Sequence, residues 1–103
     1  MAQVIISLNA SNNLARIRNF YDEAVDNNAM AAINQSLKLL ISHPEIGRPV
    51  KGRDNLRERV IKFGTSGFIA LYRFEKQANE VVILSICHQR EAGYRDELRL
   101  GDS

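Results

Sequence analysis

At 103 residues the chain is long enough for one domain and too short for two ordinary ones, so residues 1–103 read as a single unit. Hydrophobic residues at 45% and charged residues at 25% give the balance of a soluble globular protein and argue against disorder. The net charge of +2 is mildly basic, apolar runs such as Val81–Leu84 are far too short to span a membrane, and the single Cys87 excludes an internal disulfide and fits a reducing, cytoplasmic compartment.

Segment 3–8 is apolar on both faces and reads as a strand; it lacks the basic flank and small-residue cleavage site of a signal peptide. Asn9 to Asn13 are polar, short residues of the kind that stop a strand and start a helix. From Leu14 the apolar positions Leu14, Ile17, Tyr21, Ala24 and Val25 make a helical stripe. Asp26-Asn27-Asn28 interrupts it, and a second stripe follows with Met30, Ile33, Leu37, Leu40 and Ile41. His43 before Pro44 marks its end, because a residue preceding proline is biased out of the helical region. Two amphipathic helices with so short a break predict an antiparallel hairpin.

Residues 43–55 carry two prolines and two glycines and read as an extended loop. Along 56–63 the side chains alternate, with Arg57, Arg59, Ile61 and Phe63 opposed to Leu56, Glu58, Val60 and Lys62, as in a strand. A turn at 65–67 leads to a second strand, Phe68–Phe74, rich in aromatic and aliphatic residues. A turn at 76–79 leads to a third, Val81–Cys87, apolar on both faces as a centrally placed strand would be. Tyr94 and Leu98 stand four apart among charges and predict a short helix over 91–100. The order predicts an α+β fold: an N-terminal strand, a helical hairpin, a three-stranded antiparallel meander and a short C-terminal helix. The first strand must join the sheet beside one of the later three.

Charge is unevenly spread. Between Arg48 and Lys62 lie the six cations Arg48, Lys51, Arg53, Arg57, Arg59 and Lys62 against two acids, Asp54 and Glu58. Such an excess suits phosphates or the carboxylates of an acidic partner, and equally a solvated surface.

Three stretches, in this order and at these separations, resemble the RelE/ParE superfamily of toxins from type II toxin–antitoxin systems. They are His43-Pro-Glu-Ile-Gly-Arg-Pro49, Gly67-Phe-Ile-Ala-Leu-Tyr-Arg73 and His88-Gln-Arg-Glu-Ala-Gly-Tyr94. The resemblance covers nearly the whole chain. It implies a cytoplasmic toxin, of the kind linked to plasmid stabilisation, held in check by a cognate antitoxin. The superfamily holds two activities on one fold: ParE-like members poison DNA gyrase without chemistry of their own, and RelE-like members cut messenger RNA in the ribosome. Fold does not choose between them. The ParE-like reading is favoured here, with the RelE-like endoribonuclease as the alternative and a toxin reduced to antitoxin binding as a third.

Cleaving RNA through its 2′-hydroxyl needs a base, an acid and cations around the phosphate. Under the nuclease reading His88 and Tyr94 are the acid–base candidates, and Arg90 and Lys62 the phosphate clamps. The resemblance also implies an arginine where this chain has Ile69, and a second lysine where it has Val60. Each such donor typically contributes a factor of ~10²–10³ in rate, so both departures weigh against a competent nuclease. Simpler roles stand beside these. A histidine at a strand end commonly bonds locally, Tyr94 can anchor the last helix, Arg90 can pair on the surface, and Cys87 suits a buried small hydrophobe. With two histidines, one cysteine and no spaced cluster, neither a metal site nor a cofactor is expected.

For the antitoxin, the expected contacts run along the helical hairpin (Ile17, Tyr21) and the basic strand (Arg57, Arg59). Antitoxins of this superfamily usually bind DNA through one half and fold the other around the toxin. Operator DNA would then be reached only through the antitoxin, and no membrane partner is expected.

Overall fold

The computed structural model describes residues 1–20, 23–53 and 55–89. Its elements in chain order are β1 (Gln3–Ile6), α1 (Leu8–Phe20), α2 (Glu23–Ser42), β2 (Arg48–Pro49), β3 (Leu56–Phe63), β4 (Ser66–Glu75) and β5 (Glu80–His88). The strands form one sheet in the order β1-β5-β4-β3-β2. β1 runs parallel to β5, from Gln3 opposite Glu80 to Ile6 opposite Ile83, and the other pairings are antiparallel. Among the described residues the fold is thus α+β, with two helices over a five-stranded sheet.

Both helices contribute to one core on one face of the sheet. Along α1 Ala10, Leu14 and Ile17 face inward, and along α2 Ala29, Ile33, Leu37 and Leu40 do. They meet Ile61 of β3, Phe68, Ala70 and Tyr72 of β4, and Val81, Ile83 and Ile86 of β5. Fully burying a residue such as Ile33 or Leu40 contributes about 1.5–3 kcal/mol. α1 lies against β5, and α2 against β3 and β1. Among the described residues no helix is long and apolar enough to cross a membrane.

Several boundaries differ from the sequence expectation, each for a tertiary reason. β1 ends at Ile6, and Asn9 to Asn13 belong to α1, which starts at Leu8 rather than Leu14. Ser7 is the cap: its Oγ accepts the N–H of Ala10 at 3.1 Å. Asp26-Asn27-Asn28 lie inside α2, where the stripe that begins at fully buried Ala29 outweighs their weak helical preference. Tyr21, between the helices, lies outside the described residues, as does the helix expected over 91–100. The 43–55 loop contains a short strand that its prolines and glycines conceal: β2 pairs Arg48 with Glu58 and Pro49 with Arg57.

The β3–β4 connection is a two-residue turn in which Gly64 takes φ 62°. A glycine-favouring conformation at that first turn position matches the twist of the hairpin. Between β4 and β5 the register shifts at Leu71/Tyr72: Leu71 faces Ser85, but Tyr72 faces Ile83, so Leu84 is an extra residue. Beyond this bulge the pairing with β4 continues, and that pairing sets the face of each β5 side chain.

Candidate functional site

The sheet has two chemically different faces, fixed by register. Cross-strand partners share a face. Ile61 pairs with Phe68 and Phe68 with His88, all toward the helices. Lys62 pairs with Gly67, and Val60 with Ile69 and Ile69 with Cys87, toward the opposite face, called open because no helix among the described residues covers it. Lys62 is exposed there. His88 is half-buried on the helix side, its ring edge-on to Phe68 at 5.8 Å, with Phe63 stacked on Phe68 at 5.9 Å. Two of the four residues singled out for acid–base and phosphate chemistry, His88 and Lys62, therefore project from opposite faces. Arg90 and Tyr94 lie outside the described residues.

The positions that depart from the nuclease pattern come together. Val60, Ile69 and Cys87 form one apolar cluster on the open face, with Ile69 6% and Cys87 4% exposed. The Cys87 thiol points at the Ile69 carbonyl, 3.9 Å away. Cys87 is thus the small buried hydrophobe expected from its strand. An apolar cluster at the middle of that face offers a phosphate nothing to bind.

The residues expected to meet a partner divide in the same way. Ile17 is 6% exposed and packs within the main core. Arg57 is turned inward. Its Nη1 donates to the Glu45 carbonyl at 3.0 Å and the Gly47 carbonyl at 2.8 Å, and its Nη2 lies 3.6 Å from the Glu45 carboxylate. Arg59, one pair further along the same face and opposite Ala70, is partly buried, and its Nε is buried without a hydrogen-bond partner among the described residues.

The loop that Arg57 holds forms an assembly that the sequence does not display, although His43–Pro49 stands out there as a unit. Its centre is Tyr72, fully buried, whose hydroxyl accepts the Gly47 N–H at 2.8 Å. Burial raises the Tyr72 pKa, while the Gly47 bond and the charges of Arg57 and Arg59 oppose the rise. Gly47 is required by close approach: an added Cβ would stand 2.7 Å from the Tyr72 ring and 2.8 Å from the Glu58 carbonyl. On the open face Arg48 reaches across to Glu58, Nη2 to Oε2 at 3.2 Å. The sequence signal for all of this was Gly47 between Pro44 and Pro49, opposite a strand carrying alternating arginines.

The fold is that of known toxins. A chromosomal ParDE toxin–antitoxin system of P. aeruginosa superposes with a TM-score of 0.67 at 21% identity, covering 85% of this chain and 96% of that one. The isolated E. coli RelE toxin gives 0.63 at 16% identity, covering 92% and 98%. The intact E. coli RelBE complex gives 0.62 at 15% identity, covering 84% and 95%. No curated protein sequence matches the chain. The family model for the ParE toxin of the type II toxin–antitoxin system parDE matches residues 4–93. The chain belongs to that family of toxins, within the RelE/ParE superfamily.

Proposed function

We propose that this toxin acts as ParE-like members do, by binding and inhibiting DNA gyrase in the cytoplasm, and that a cognate antitoxin neutralises it. The observation that carries the reading is the apolar cluster of Val60, Ile69 and Cys87 on the open face. Stabilising a pentavalent phosphate calls for converging cations, and here Lys62 stands beside aliphatic neighbours while His88 faces the other way. A toxin that acts by occupying its target needs no such cluster. The antitoxin part of the reading draws on the toxin–antitoxin complexes among the similar structures.

The purified chain should stop gyrase from supercoiling relaxed plasmid and should accumulate cleaved DNA. Changing His88 and Tyr94 together should leave toxicity in cells intact. Gyrase working at full rate while ribosome-bound messenger RNA is cut would replace this reading with the endoribonuclease.

A further inference from the structure

The strand order leaves β1 at one edge of the sheet, with no strand beyond it among the described residues. The Gln3 N–H donates to the Asn79 carbonyl and the Ser7 N–H to the Ile83 carbonyl, each at 3.0 Å, so odd-numbered backbone groups of β1 face β5. With the two-residue period of a strand, the N–H and C=O of Val4 and Ile6 point away from the sheet. Native edges of this kind are commonly blunted by a lysine, a proline or a bulge. β1 carries none of these, and the first charged side chain in the sequence is Arg16. Four large hydrophobic side chains are exposed among the described residues. Three of them, Met1 at 94%, Ile6 at 43% and Leu8 at 79%, lie on this edge or flank it.

We propose that the β1 edge takes a second copy of this chain, β1 antiparallel to β1, so that the two five-stranded sheets become one. A contact between identical surfaces must be complementary to itself, and charge decides which edge can be. Lys51, Arg53 and Lys62 are exposed along the β2–β3 edge, where two copies would set cation against cation. The β1 edge sets neutral side chains against neutral ones. Backbone geometry then selects the register. Val4 opposite Val4 would set Ile6 against Ala2, whose N–H already donates to the Ile41 carbonyl at 2.8 Å. Ile6 opposite Ile6 would set Val4 against Leu8, which belongs to α1. Val4 opposite Ile6 of the second copy pairs all the outward groups of both strands. Ile5 then meets Ile5 of the second copy on the two-fold axis, as a non-hydrogen-bonded pair with Cα atoms about 4.5 Å apart. On the helix side the exposed Ile6 packs beside Val4 of the second copy, itself part of the core rim. The proposal stands apart from the choice between gyrase and ribosome.

A strand this short makes a small contact, and small contacts are weak, so the full chain is followed by sedimentation from about 1 μM to about 1 mM. The mass should rise from 11.6 kDa toward twice that value. Over the same range hydrogen exchange of the Val4 and Ile6 amides should slow about threefold or more. Ile6→Lys puts two cations into the contact and should weaken association about tenfold or more; at an exposed site it leaves the fold intact. Register is tested with cysteines under oxidised glutathione. Ile5→Cys should give a covalent dimer, because its sulfurs meet across the axis. Gln3→Cys, more exposed but opposite Ser7 of the second copy, should not. The native Cys87 is buried and takes no part. A mass of one chain across the whole range overturns the proposal. So does slowing at Val60 and Lys62 in place of Val4 and Ile6, association unchanged by Ile6→Lys, or equal crosslinking of the two cysteine variants.

Discussion

The side-chain oxygen of Asn13, midway along α1, accepts the backbone N–H of Ile86 in β5 at 3.0 Å. β1 stops at Ile6, opposite Ile83, and among the described residues no strand follows it along the rest of that β5 edge. α1 takes over: the Ser7 hydroxyl and the Asn9 amide both donate to the Leu84 carbonyl, at 3.2 and 2.9 Å, and Asn13 serves Ile86. Polar side chains of a helix thus stand in for a missing strand. Asn13→Ala should cost about 1–3 kcal/mol, because the Ile86 N–H loses its acceptor, whereas Asn9→Ala should cost less, since Ser7 still serves Leu84. Urea midpoints of the two variants check this, and equal midpoints would contradict it.

Tyr72 predicts an alkaline limit. Burial raises its pKa in the folded chain, so folding favours the protonated phenol. The associated stability is complete below the unfolded phenol's value of about 10 and is lost as pH rises through the higher folded value. Thermal unfolding followed upward from pH 9 should show this loss. Tyr72→Phe should lack the alkaline loss and be less stable at neutral pH by about 1–3 kcal/mol, as the Gly47 N–H is left unpaired.

Gly47→Ala should destabilise by about 1–3 kcal/mol, since the new methyl meets a buried ring and a backbone carbonyl that belongs to β3. Combining it with Tyr72→Phe removes the contact to the hydroxyl but leaves those to the ring and to the Glu58 carbonyl, so the double variant should recover only part of the loss. Full recovery would show that the hydroxyl alone sets the limit.

Arg57→Ala should lower stability by about 1–2 kcal/mol through loss of two carbonyl bonds, and Arg59→Gln by much less. The two arginines look equivalent in the sequence, and denaturation of the isolated chain separates them. Equal losses would mean that Arg59 also holds the fold.

Ile69→Arg should cost about 2–4 kcal/mol, because a charge enters a site now 6% exposed, while Val60→Lys at a partly buried position should be nearly neutral. Denaturant midpoints of both variants test whether the open face accepts cations at its centre or only at its rim.

Much of the fold was legible because period-two alternation in 56–63 and the turn residues after it are local signals. The helical stripes were legible for the same reason. What failed was non-local. Asn9 to Asn13 carry the composition of a linker, and only their bonds to β5 explain why they sit in a helix. β2 is two residues long and takes its identity from β3. The candidate site was partly legible: Ile69 and Val60 were recognised as departures, and the structure joins them with Cys87. Facing was not legible. His88 and Lys62 lie on different strands, and their relative orientation depends on register across β4.

That orientation is kept across Leu84. Upstream of it Val81 and Ile83 face the helices; downstream, Ile86 does, and the odd-numbered Ser85 and Cys87 turn away. One inserted residue thus acts as a phase shift along the strand. Deleting Leu84 would leave a regular ladder in which Ile83 still faces Tyr72, Cys87 still faces Ile69 and His88 still faces Phe68, so each would keep its side of the sheet. The two faces of β5 are therefore set by its pairing with β4 and not by a count along the chain, and a one-codon deletion at Leu84 would remove the bulge without exchanging them.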